Sequence, residues 1–386
     1  MKEKIKKIIY QLNYSFLLKN YILLESNPDF SDNTRAVFDK MIEIKLNEKY
    51  KLIWLVDDSK KFKDIKIKNV KFITRKMNIA NIYYRLFSKY ILDCNKIISK
   101  YNKYQFRMFL SHGEFIKLPQ KYINQIGEYD KFVHLSKFFS DVVYEKFKLD
   151  KRKSIITGYP RNDVLLKKSD NIKKIVCGNS KIEKIIIWMP TFRNHKNGSN
   201  NENITNIKYK YGVPLIKNKD QLEILNNKLL KQNNLLIIKL HPAENISKMK
   251  ISNYSNIMFI NDNKIFENHN LSFYNLLSVT DALITDYSSV YYDYLLLDKP
   301  IAIAAPDIKE YSSHVELVFN NYEENIIGEY INNFEQLLCF IDNVTNNIDV
   351  KYSERKKVRE KYHEYTDNNS TERVLKILLE KMKERD

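Results

Sequence analysis

The chain has 386 residues, which is enough for two domains of ordinary size, and its 44% of hydrophobic residues excludes a disordered chain. Its net charge of +18, from 65 Lys and Arg against 47 Asp and Glu, favours a polyanionic partner: nucleic acid, anionic lipid or a phosphate-rich substrate. The 3 cysteines form no CxxC pair, which argues against a disulfide framework or a zinc site and fits a reducing, cytoplasmic setting. No apolar run approaches the ~20 residues that span a bilayer, and the N-terminus lacks the pattern of a secretory signal.

The N-terminal half alternates between strand-like and helical segments. Lys2–Asn13 has apolar residues at helical spacing between lysines, so it predicts a helix that lies on an anionic membrane or packs on the first domain. Apolar, strand-like runs follow at Tyr21–Glu25, Tyr50–Val56, Val70–Thr74, Phe106–Leu110, Lys131–Leu135 and Ser154–Thr157, with helical patterns at Ala36–Ile44, Ile79–Tyr90 and Ser136–Phe147. This alternation predicts a parallel α/β domain, which we assign to residues 1–166.

The C-terminal half shows the same alternation. Lys167–Lys184 is polar and rich in lysine and predicts a linker, and Asn194–Thr205 predicts a mobile loop. Strand patterns lie at Ile185–Met189, Leu235–Leu240, Ile257–Ile260, Ala282–Thr285 and Ile301–Ala304, and helical patterns at Gln221–Leu230, Phe273–Val279, Asn333–Ile341, Tyr352–Tyr362 and Ser370–Met382. Residues 185–386 therefore predict a second parallel α/β domain that ends in helices.

A polar turn, Asp286–Ser289, joins the strand Ala282–Thr285 to a helix that stops before Pro300. The turn therefore lies at the carboxyl end of a strand and at the amino end of a helix, where backbone N–H groups and the helix dipole favour an anion. With the hydroxyls of Ser288 and Ser289 as further donors, this turn predicts a binding site for a phosphate or diphosphate. On this stretch alone, a plain helix cap made by Asp286 or Ser288 is the alternative.

Polar or basic side chains follow other strands too, just past their carboxyl ends. The full set is His112, Arg161, Arg193, His241 and the pair Ser288 and Ser289. Ligands bind at this edge of open α/β sheets, so two such domains facing each other predict a cleft that suits chemistry on a phosphate. The motifs GxGxxG, GxxxxGK[ST] and GxSxG are absent, which argues against a dinucleotide-type Rossmann site, a P-loop and an α/β-hydrolase.

Several stretches lie in one order along nearly the whole chain: ESNPDFSDNTRAVF at Glu25–Phe38, GYPRND at Gly158–Asp163, MPTFR at Met189–Arg193, KLHP at Lys239–Pro242, ITDYSSVYYDY at Ile284–Tyr294 with LDKPI after it, and TDNNSTERV at Thr366–Val374. Together they resemble the CDP-glycerol:poly(glycerophosphate) glycerophosphotransferases, which are teichoic-acid primases and polymerases and their capsule-synthesis relatives. The resemblance implies a GT-B fold, with two Rossmann-like domains facing across a cleft. It also implies that an acceptor hydroxyl attacks the β-phosphorus of a CDP-polyol, most simply CDP-glycerol, and that CMP is released.

The resemblance also implies roles for particular residues. The family carries a histidine thought to be the base in a pattern close to W-H-G-T-P-L-K, and here Ser111–Lys117 reads SHGEFIK. His112 is kept as the predicted general base, whereas Ser111, Glu114 and Phe115 replace tryptophan, threonine and proline. Glu114 is a candidate to assist or replace His112, and His241 is predicted to donate to the diphosphate.

The remaining predicted site residues are assigned by residue type and position. The predicted ligands of the donor's diphosphate are Thr191, Arg193, Ser288 and Ser289, with a solvated side chain as the alternative for Arg193. Asp286 is predicted to orient the turn, and Lys117 and Arg161 to contact or support the acceptor. The histidines outside these motifs are predicted to be structural or at the surface: His134, His195, His269, His314 and His363.

No DxD-like pair is placed to hold a metal, because adjacent residues such as Asp57 and Asp58 point to opposite faces of a strand. The sequence therefore predicts neither a metal nor another cofactor. The leading hypothesis is a CDP-polyol phosphotransferase, peripheral on the inner face of the cell membrane, with a lipid-linked, glycan or polyol-phosphate acceptor. Two alternatives stay open: a GT-B glycosyltransferase that uses a nucleotide sugar, and a basic module that binds polyanions without catalysis, although no nucleic-acid-binding motif supports the latter.

Overall fold

The computed structural model describes residues 15–95, 98–118, 126–167, 170–178, 181–193, 209–241, 253–261 and 271–385. The predicted helix at Lys2–Asn13 and the predicted mobile loop at Asn194–Thr205 lie outside the described residues. Contacts divide the chain into two compact units. The first comprises the described parts of Met1–Glu114, Pro119–Asp163 and Tyr362–Asp386, and the second those of Phe115–Leu118 and Val164–Lys361.

The first unit is built on a parallel sheet. Its strands are β1 (Lys19–Glu25), β2 (Lys51–Val56), β3 (Val70–Thr74), β4 (Ser88–Asp93), β5 (Phe106–Phe109), β6 (Lys131–His134) and β7 (Ser154–Ile156), and its first helices are α1 (Asp32–Glu43), α2 (Ile79–Phe87) and α3 (Lys137–Phe147). The strands pair in the order β3-β2-β1-β4-β5-β6-β7. Leu52–Val56 in β2 is fully buried, as expected of a parallel strand that is covered on both faces.

The second unit carries its own parallel sheet, in the order β10-β9-β8-β11-β12-β13. These strands are β8 (Lys184–Met189), β9 (Asn234–Lys239), β10 (Ile257–Ile260), β11 (Ala282–Thr285), β12 (Ile301–Ile303) and β13 (Glu329–Tyr330). Its helices are α4 (Asp170–Cys177), α5 (Lys219–Lys231), α6 (Phe273–Val279), α7 (Val290–Leu295), α8 (Ile308–His314), α9 (Tyr322–Asn325), α10 (Phe334–Thr345) and α11 (Tyr352–Tyr362). The core of this unit includes Ile186 and Trp188 of β8 and Ile284 of β11.

One predicted helix is too long, and a central strand was missed. The helix predicted at Ile79–Tyr90 ends at Phe87, and Ser88–Asp93 forms β4, which lies between β1 and β5. The apolar run continues across the junction without Gly or Pro, so hydrophobic pattern alone does not separate helix from strand. Ser88 has an extended backbone, and its hydroxyl donates to Tyr84 O at 2.6 Å, which ends the helix.

The units also differ from the predicted division into 1–166, a linker at 167–184, and 185–386. Helix α4 lies within the predicted linker and belongs to the second unit. The last helix, α12 (Ser370–Lys383), belongs to the first unit, because the Asp163 carboxylate accepts from the N–H groups of Ser370 (2.9 Å) and Thr371 (2.8 Å). The carboxylate stabilises the positive end of α12. The sequence pattern of α12 does not reveal this contact, because Asp163 is distant in sequence.

A buried ion pair joins β4 to β5 inside the first unit. Arg107 and Asp93 are both fully buried, and the guanidinium donates to the carboxylate from Nε at 2.9 Å and from Nη2 at 2.7 Å. The carboxylate also accepts from Ile98 N at 2.8 Å. Since β5 leads directly to His112, this pair fixes the strand from which the predicted base extends.

We expect Arg107→Met to destabilise the first unit by about 3–5 kcal/mol, because it leaves the Asp93 charge buried without its partner. The double variant Arg107→Met/Asp93→Asn should recover part of that loss, because it removes the second charge as well. Urea denaturation of both variants and of the wild type measures the difference. If Arg107→Met were as stable as Arg107→Met/Asp93→Asn, or more stable, this account of the ion pair would be wrong.

Candidate active site

In the second unit, three strands that are neighbours in the sheet, β9, β8 and β11, end in polar loops. Parallel strands carry their carboxyl ends to one edge, where α/β sheets bind ligands. The fold therefore brings together the residues predicted for the donor. They are Thr191 and Arg193 after β8, His241 after β9, and Asp286, Ser288 and Ser289 after β11.

The Asp286 carboxylate ties the loop after β11 to the loop after β8. It is buried and accepts hydrogen bonds from Thr191 N at 2.8 Å and from Tyr287 N at 2.7 Å. It also accepts from Arg193 Nη1 at 2.7 Å. Asp286 is thus used inside the turn, where it orients the backbone and pairs with a buried cation.

The Arg193 guanidinium is only 4% exposed and is surrounded by acceptors of its own unit. Nε and Nη2 donate to the Asp307 carboxylate at 2.9 Å and 3.2 Å, and Nη1 donates to Asp286 and to Thr191 O. Burial acts to lower the pKa of Arg193, but the two carboxylates outweigh burial and raise the pKa above its ordinary value. The predicted bidentate grip of Arg193 on a phosphate does not fit these contacts, because the fork is directed at Asp307.

Tyrosines support the same turn from within the unit. The Tyr287 hydroxyl donates to Asp307 at 2.9 Å, and its ring stacks on Tyr311 with centroids 3.8 Å apart. The Tyr322 hydroxyl donates to the backbone carbonyl of Asp286 at 2.6 Å. Backbone, carboxylate and rings therefore hold the turn in one conformation before the two serines.

Ser288 and Ser289 lie at the start of α7 and are partly exposed. Among the described residues, neither hydroxyl has a hydrogen-bond partner, and the buried Thr191 Oγ1 has none either. The hydroxyls of the two serines are thus available to an external acceptor. Because α7 has only 6 residues, its dipole contributes less to anion binding than the sequence pattern suggested.

His241 is exposed at the end of β9, and its ring stacks on Phe192. The two ring centroids are 4.9 Å apart and the planes differ by 15°. The contact joins the loop after β9 to the loop after β8 and fixes the plane of the imidazole. Together with the Asp286 contacts, it links the ends of all three neighbouring strands.

In the first unit, His112 lies on the loop after β5, and its side chain is 54% exposed. Its Nδ1 is 3.6 Å from Oδ2 of Asp32, the first residue of α1, whose side chain is only 10% exposed. The other carboxylate oxygen of Asp32 accepts from Arg161 Nη1 at 2.8 Å. Burial acts to raise the pKa of Asp32, but the charge of Arg161 and the interaction with His112 outweigh burial and lower the pKa.

The loop that carries His112 is fastened through its backbone carbonyls. Arg161 Nη1 donates to His112 O at 2.6 Å, and Asn33 Nδ2 donates to Leu110 O at 3.2 Å and to Ser111 O at 3.0 Å. Asn33 Oδ1 in turn accepts from Arg161 N at 3.0 Å. The start of α1 and the turn after β7 therefore hold the loop that carries His112 jointly.

Glu114 does not share the exposed position of His112. It is 2% exposed, its Oε1 accepts from Leu135 N at 2.9 Å, and the same oxygen is 3.6 Å from His134 Nδ1. A general base must reach the proton that it abstracts, so these contacts contradict the option that Glu114 replaces His112. Lys117 belongs to the second unit, where it forms an antiparallel bridge with Leu317.

The other histidines and the Asp57–Asp58 pair take structural or surface positions where they are described. His134 and His363 are buried and His314 is exposed, whereas His195 and His269 lie outside the described residues. Asp57 pairs with Arg75 at 2.8 Å, and Asp58 accepts from Lys60 N at 3.0 Å. Within the described ranges, no group of three or more His, Cys, Asp and Glu side chains could hold a metal ion.

Similarity to known proteins decides the family. The family model for CDP-glycerol:poly(glycerophosphate) glycerophosphotransferase matches residues 8–380. This chain belongs to that family. The match confirms the resemblance seen in the motifs and the predicted enzyme class, a glycerophosphotransferase-like transferase.

Two relatives and one solved structure show which members of the family this chain is similar to. The chain is 25% identical over 347 residues to a teichoic acid poly(glycerol phosphate) polymerase of Bacillus spizizenii, covering 83% of this chain and 82% of that protein. It is 29% identical over 253 residues to a teichoic acid glycerol-phosphate primase of Bacillus subtilis, covering 65% of this chain and 58% of that protein. A variant of the wall teichoic acid polymerase TagF matches in structure with a TM-score of 0.76 at 18% identity, over 100% of this chain and 94% of that one. The likeness confirms the predicted fold class, GT-B with two parallel α/β domains.

Three residues of this glycerophosphotransferase site escaped the sequence reasoning: Asp32, Asp307 and Phe192. Asp32 begins α1, shortly after the end of β1 and within one of the family motifs, so its position past a strand end is a signal in the sequence. Asp307 follows β12 in the same way. Phe192 lies inside the motif at Met189–Arg193 but has an apolar side chain, which gave no reason to single it out.

We expect Arg161→Met to raise the pKa of Asp32, because burial of the carboxylate remains after its strongest cationic partner is removed. In the wild type the lowered pKa means that ionised Asp32 stabilises the fold above its ordinary pKa, and that this contribution is lost as the pH falls through the lowered value. A carboxyl-carbon NMR titration of Asp32 measures the shift. Arg35→Met is the matched control, since Arg35 pairs with Asp39 on the same helix, and an equal shift of Asp32 in both variants would refute the assignment.

Proposed function

We propose that this chain transfers a polyol phosphate, in the first instance glycerol phosphate, from a CDP-activated donor to an acceptor hydroxyl and releases CMP, in teichoic-acid or capsule synthesis. The observation that carries the proposal is the shared edge of β9, β8 and β11, where exposed His241 follows β9 and the partly exposed Ser288 and Ser289 follow β11. Family membership supports the reaction class, and glycerol phosphate is the unit named for both relatives above.

The second unit holds the donor. The hydroxyls of Ser288 and Ser289 donate to oxygens of the diphosphate, and the neighbouring loop that carries Thr191 is held beside them by Asp286. His241 donates a hydrogen bond to the diphosphate as negative charge moves onto the departing CMP. Phe192 holds the imidazole plane by stacking, and Arg193 and Asp286 keep the loops in register without touching the donor.

The first unit activates the acceptor. His112 takes the proton of the acceptor hydroxyl while that oxygen forms a bond to the β-phosphorus of the donor. The bond between the β-phosphorus and the bridging oxygen breaks, and its electron pair leaves with CMP. General-base catalysis of this kind contributes typically ~10²–10⁴ in rate. Arg161 supports His112. Lys117, which belongs to the second unit, stays a predicted contact of a polyol-phosphate or glycan acceptor.

The protein works as a peripheral protein on the inner face of the cell membrane, where a lipid-linked acceptor is presented. The net charge of +18 supports attraction to anionic lipid. The first unit also exposes large apolar side chains, namely Phe16 (80% exposed), Met77 (63%) and Ile79 (88%). Among the described helices, none combines the length and the apolar composition that crossing a membrane requires.

Release of CMP from CDP-glycerol in the presence of a polyol-phosphate or lipid-linked acceptor tests the reaction. We expect His112→Ala to lower the rate by about 10²–10⁴-fold, since it removes the base, and His241→Ala to lower it by at least about 10-fold. His314→Ala, which changes an exposed histidine bonded within α8, is the matched control and should leave the rate unchanged.

The same assay separates the alternatives. CDP-ribitol and a panel of nucleotide sugars are offered in parallel, and both CMP and nucleoside diphosphates are measured. A nucleoside diphosphate released from a sugar donor would assign the chain to the glycosyltransferases. Full activity of His112→Ala with CDP-glycerol would remove His112 from the mechanism.

Flotation with phosphatidylglycerol vesicles tests the membrane proposal. We expect binding at low salt that weakens in 0.5 M NaCl, because screening reduces attraction between the basic protein and anionic lipid. The double variant Phe16→Ser/Ile79→Ser should bind less, whereas Ile224→Ser, which changes an apolar residue that is 52% exposed in the second unit, should bind like the wild type. Failure to float with any vesicle at low salt would remove the membrane from the proposal.

A further inference from the structure

The Asp32 carboxylate lies beside the imidazole of His112. The Asp32 carboxylate is nine-tenths buried and spans two partners, with Oδ1 on Arg161 at 2.8 Å and Oδ2 at 3.6 Å from Nδ1 of His112. The imidazole is half-exposed and turns Nδ1, not Nε2, toward the carboxylate. A carboxylate on one ring nitrogen sets which nitrogen carries the proton and leaves the other to accept one.

We propose that Asp32 is the positioning residue of His112: it holds the imidazole with its proton on Nδ1, so that Nε2 is the atom that takes the acceptor's proton. The inference rests on the proposed role of His112 as base. When Nε2 accepts the proton, the ring becomes a cation, and the ionised Asp32 stabilises that charge without taking a proton itself. Arg161 keeps the arrangement in place, because one of its nitrogens, Nη1, donates both to Asp32 and to the backbone carbonyl of His112.

The separation of 3.6 Å is that of an ion pair and is longer than a hydrogen bond. Catalytic hydrogen bonds are often long before substrate binds and tighten in the reacting complex, so the distance suits a positioning pair. The alternative is a purely structural role, in which Asp32 serves the start of α1 and neutralises buried Arg161. It does accept from Asn33 N at 2.7 Å and pair with Arg161, so the test must separate the two roles.

The substitution Asp32→Asn preserves the backbone conformation at this position. Asp32 has φ +61°, in the left-handed region that asparagine adopts as readily as aspartate does. Asparagine also keeps an oxygen that can accept from Arg161. What the change removes is the negative charge that faces Nδ1 of His112.

We expect Asp32→Asn to lower kcat for CMP release by on the order of 10²-fold with KM changed less than about threefold, whereas the same change in a buried serine-protease triad costs about 10⁴. The nitrogen NMR shifts of the His112 ring should move from the Nδ1–H form in the wild type toward the Nε2–H form in the variant. Asp39→Asn, on the same helix but paired with Arg35, is the matched control and should leave kcat and the ring shifts unchanged.

If Asp32→Asn proves destabilised, Asp32→Asn/Arg161→Met is compared with Arg161→Met alone, and the urea midpoint is recorded for each variant. A wild-type kcat, or unchanged ring nitrogen shifts in a folded variant, would overturn the proposal. The NMR measurement needs no turnover. Loss of the Nδ1–H form in Asp32→Asn together with full activity of His112→Ala would therefore refute the general-base role while leaving the Asp32–His112 pair in place.

Discussion

Every strand pair in both sheets is parallel, and this constraint decides where the chemistry lies. A parallel sheet collects the carboxyl ends of its strands at one edge, so loops that are distant in sequence become neighbours. Thr191, His241 and Ser288 follow three adjacent strands for this reason. In the first unit, Asp32, His112 and Arg161 likewise follow strands of one sheet, and the crossover connections that separate them in sequence are what parallel pairing demands.

Buried ion pairs hold these loops in both units. Arg161 pairs with Asp32 in the first unit, and Arg193 pairs with Asp286 and Asp307 in the second. Such pairs add little net stability compared with apolar contacts of the same volume, because both charges lose water. Their effect is geometric, since each guanidinium joins its own loop to carboxylates of other segments of the same unit. The groups that we propose to meet substrate, His112, His241 and the two serines, are exposed or partly exposed in contrast.

The sequence predicts strands and helices well where hydrophobic residues repeat at a regular spacing. It predicts poorly those features of the fold and the site that depend on one side-chain contact. Strand ends and the polar residues after them could be predicted, because apolar runs bounded by turns carry a clear signal. Hydrophobic pattern does not separate β4 from α2, because the apolar residues of the strand continue those of the helix. Helix α12 belongs to the first unit through two hydrogen bonds that its backbone N–H groups donate to Asp163, which its own sequence pattern does not show. Arg193 has the residue type and position of a phosphate ligand. Only the structure shows that its guanidinium donates to Asp307.

The loop that carries His112 departs from the family pattern at its neighbours, and its contacts show why these departures leave His112 in place. Ser111 has a left-handed backbone with φ +56°, and its hydroxyl donates to Gly113 O at 3.1 Å, while Glu114 points inward to Leu135 N. Ser111 and Glu114 therefore face the interior of the loop and of the first unit. Asn33 and Arg161 hold the loop by donating hydrogen bonds to its backbone carbonyls, which are present whatever the side chains are. Side chains in such a loop can change while the carbonyls stay, so the position of His112 depends more on α1 and on the turn after β7 than on its sequence neighbours.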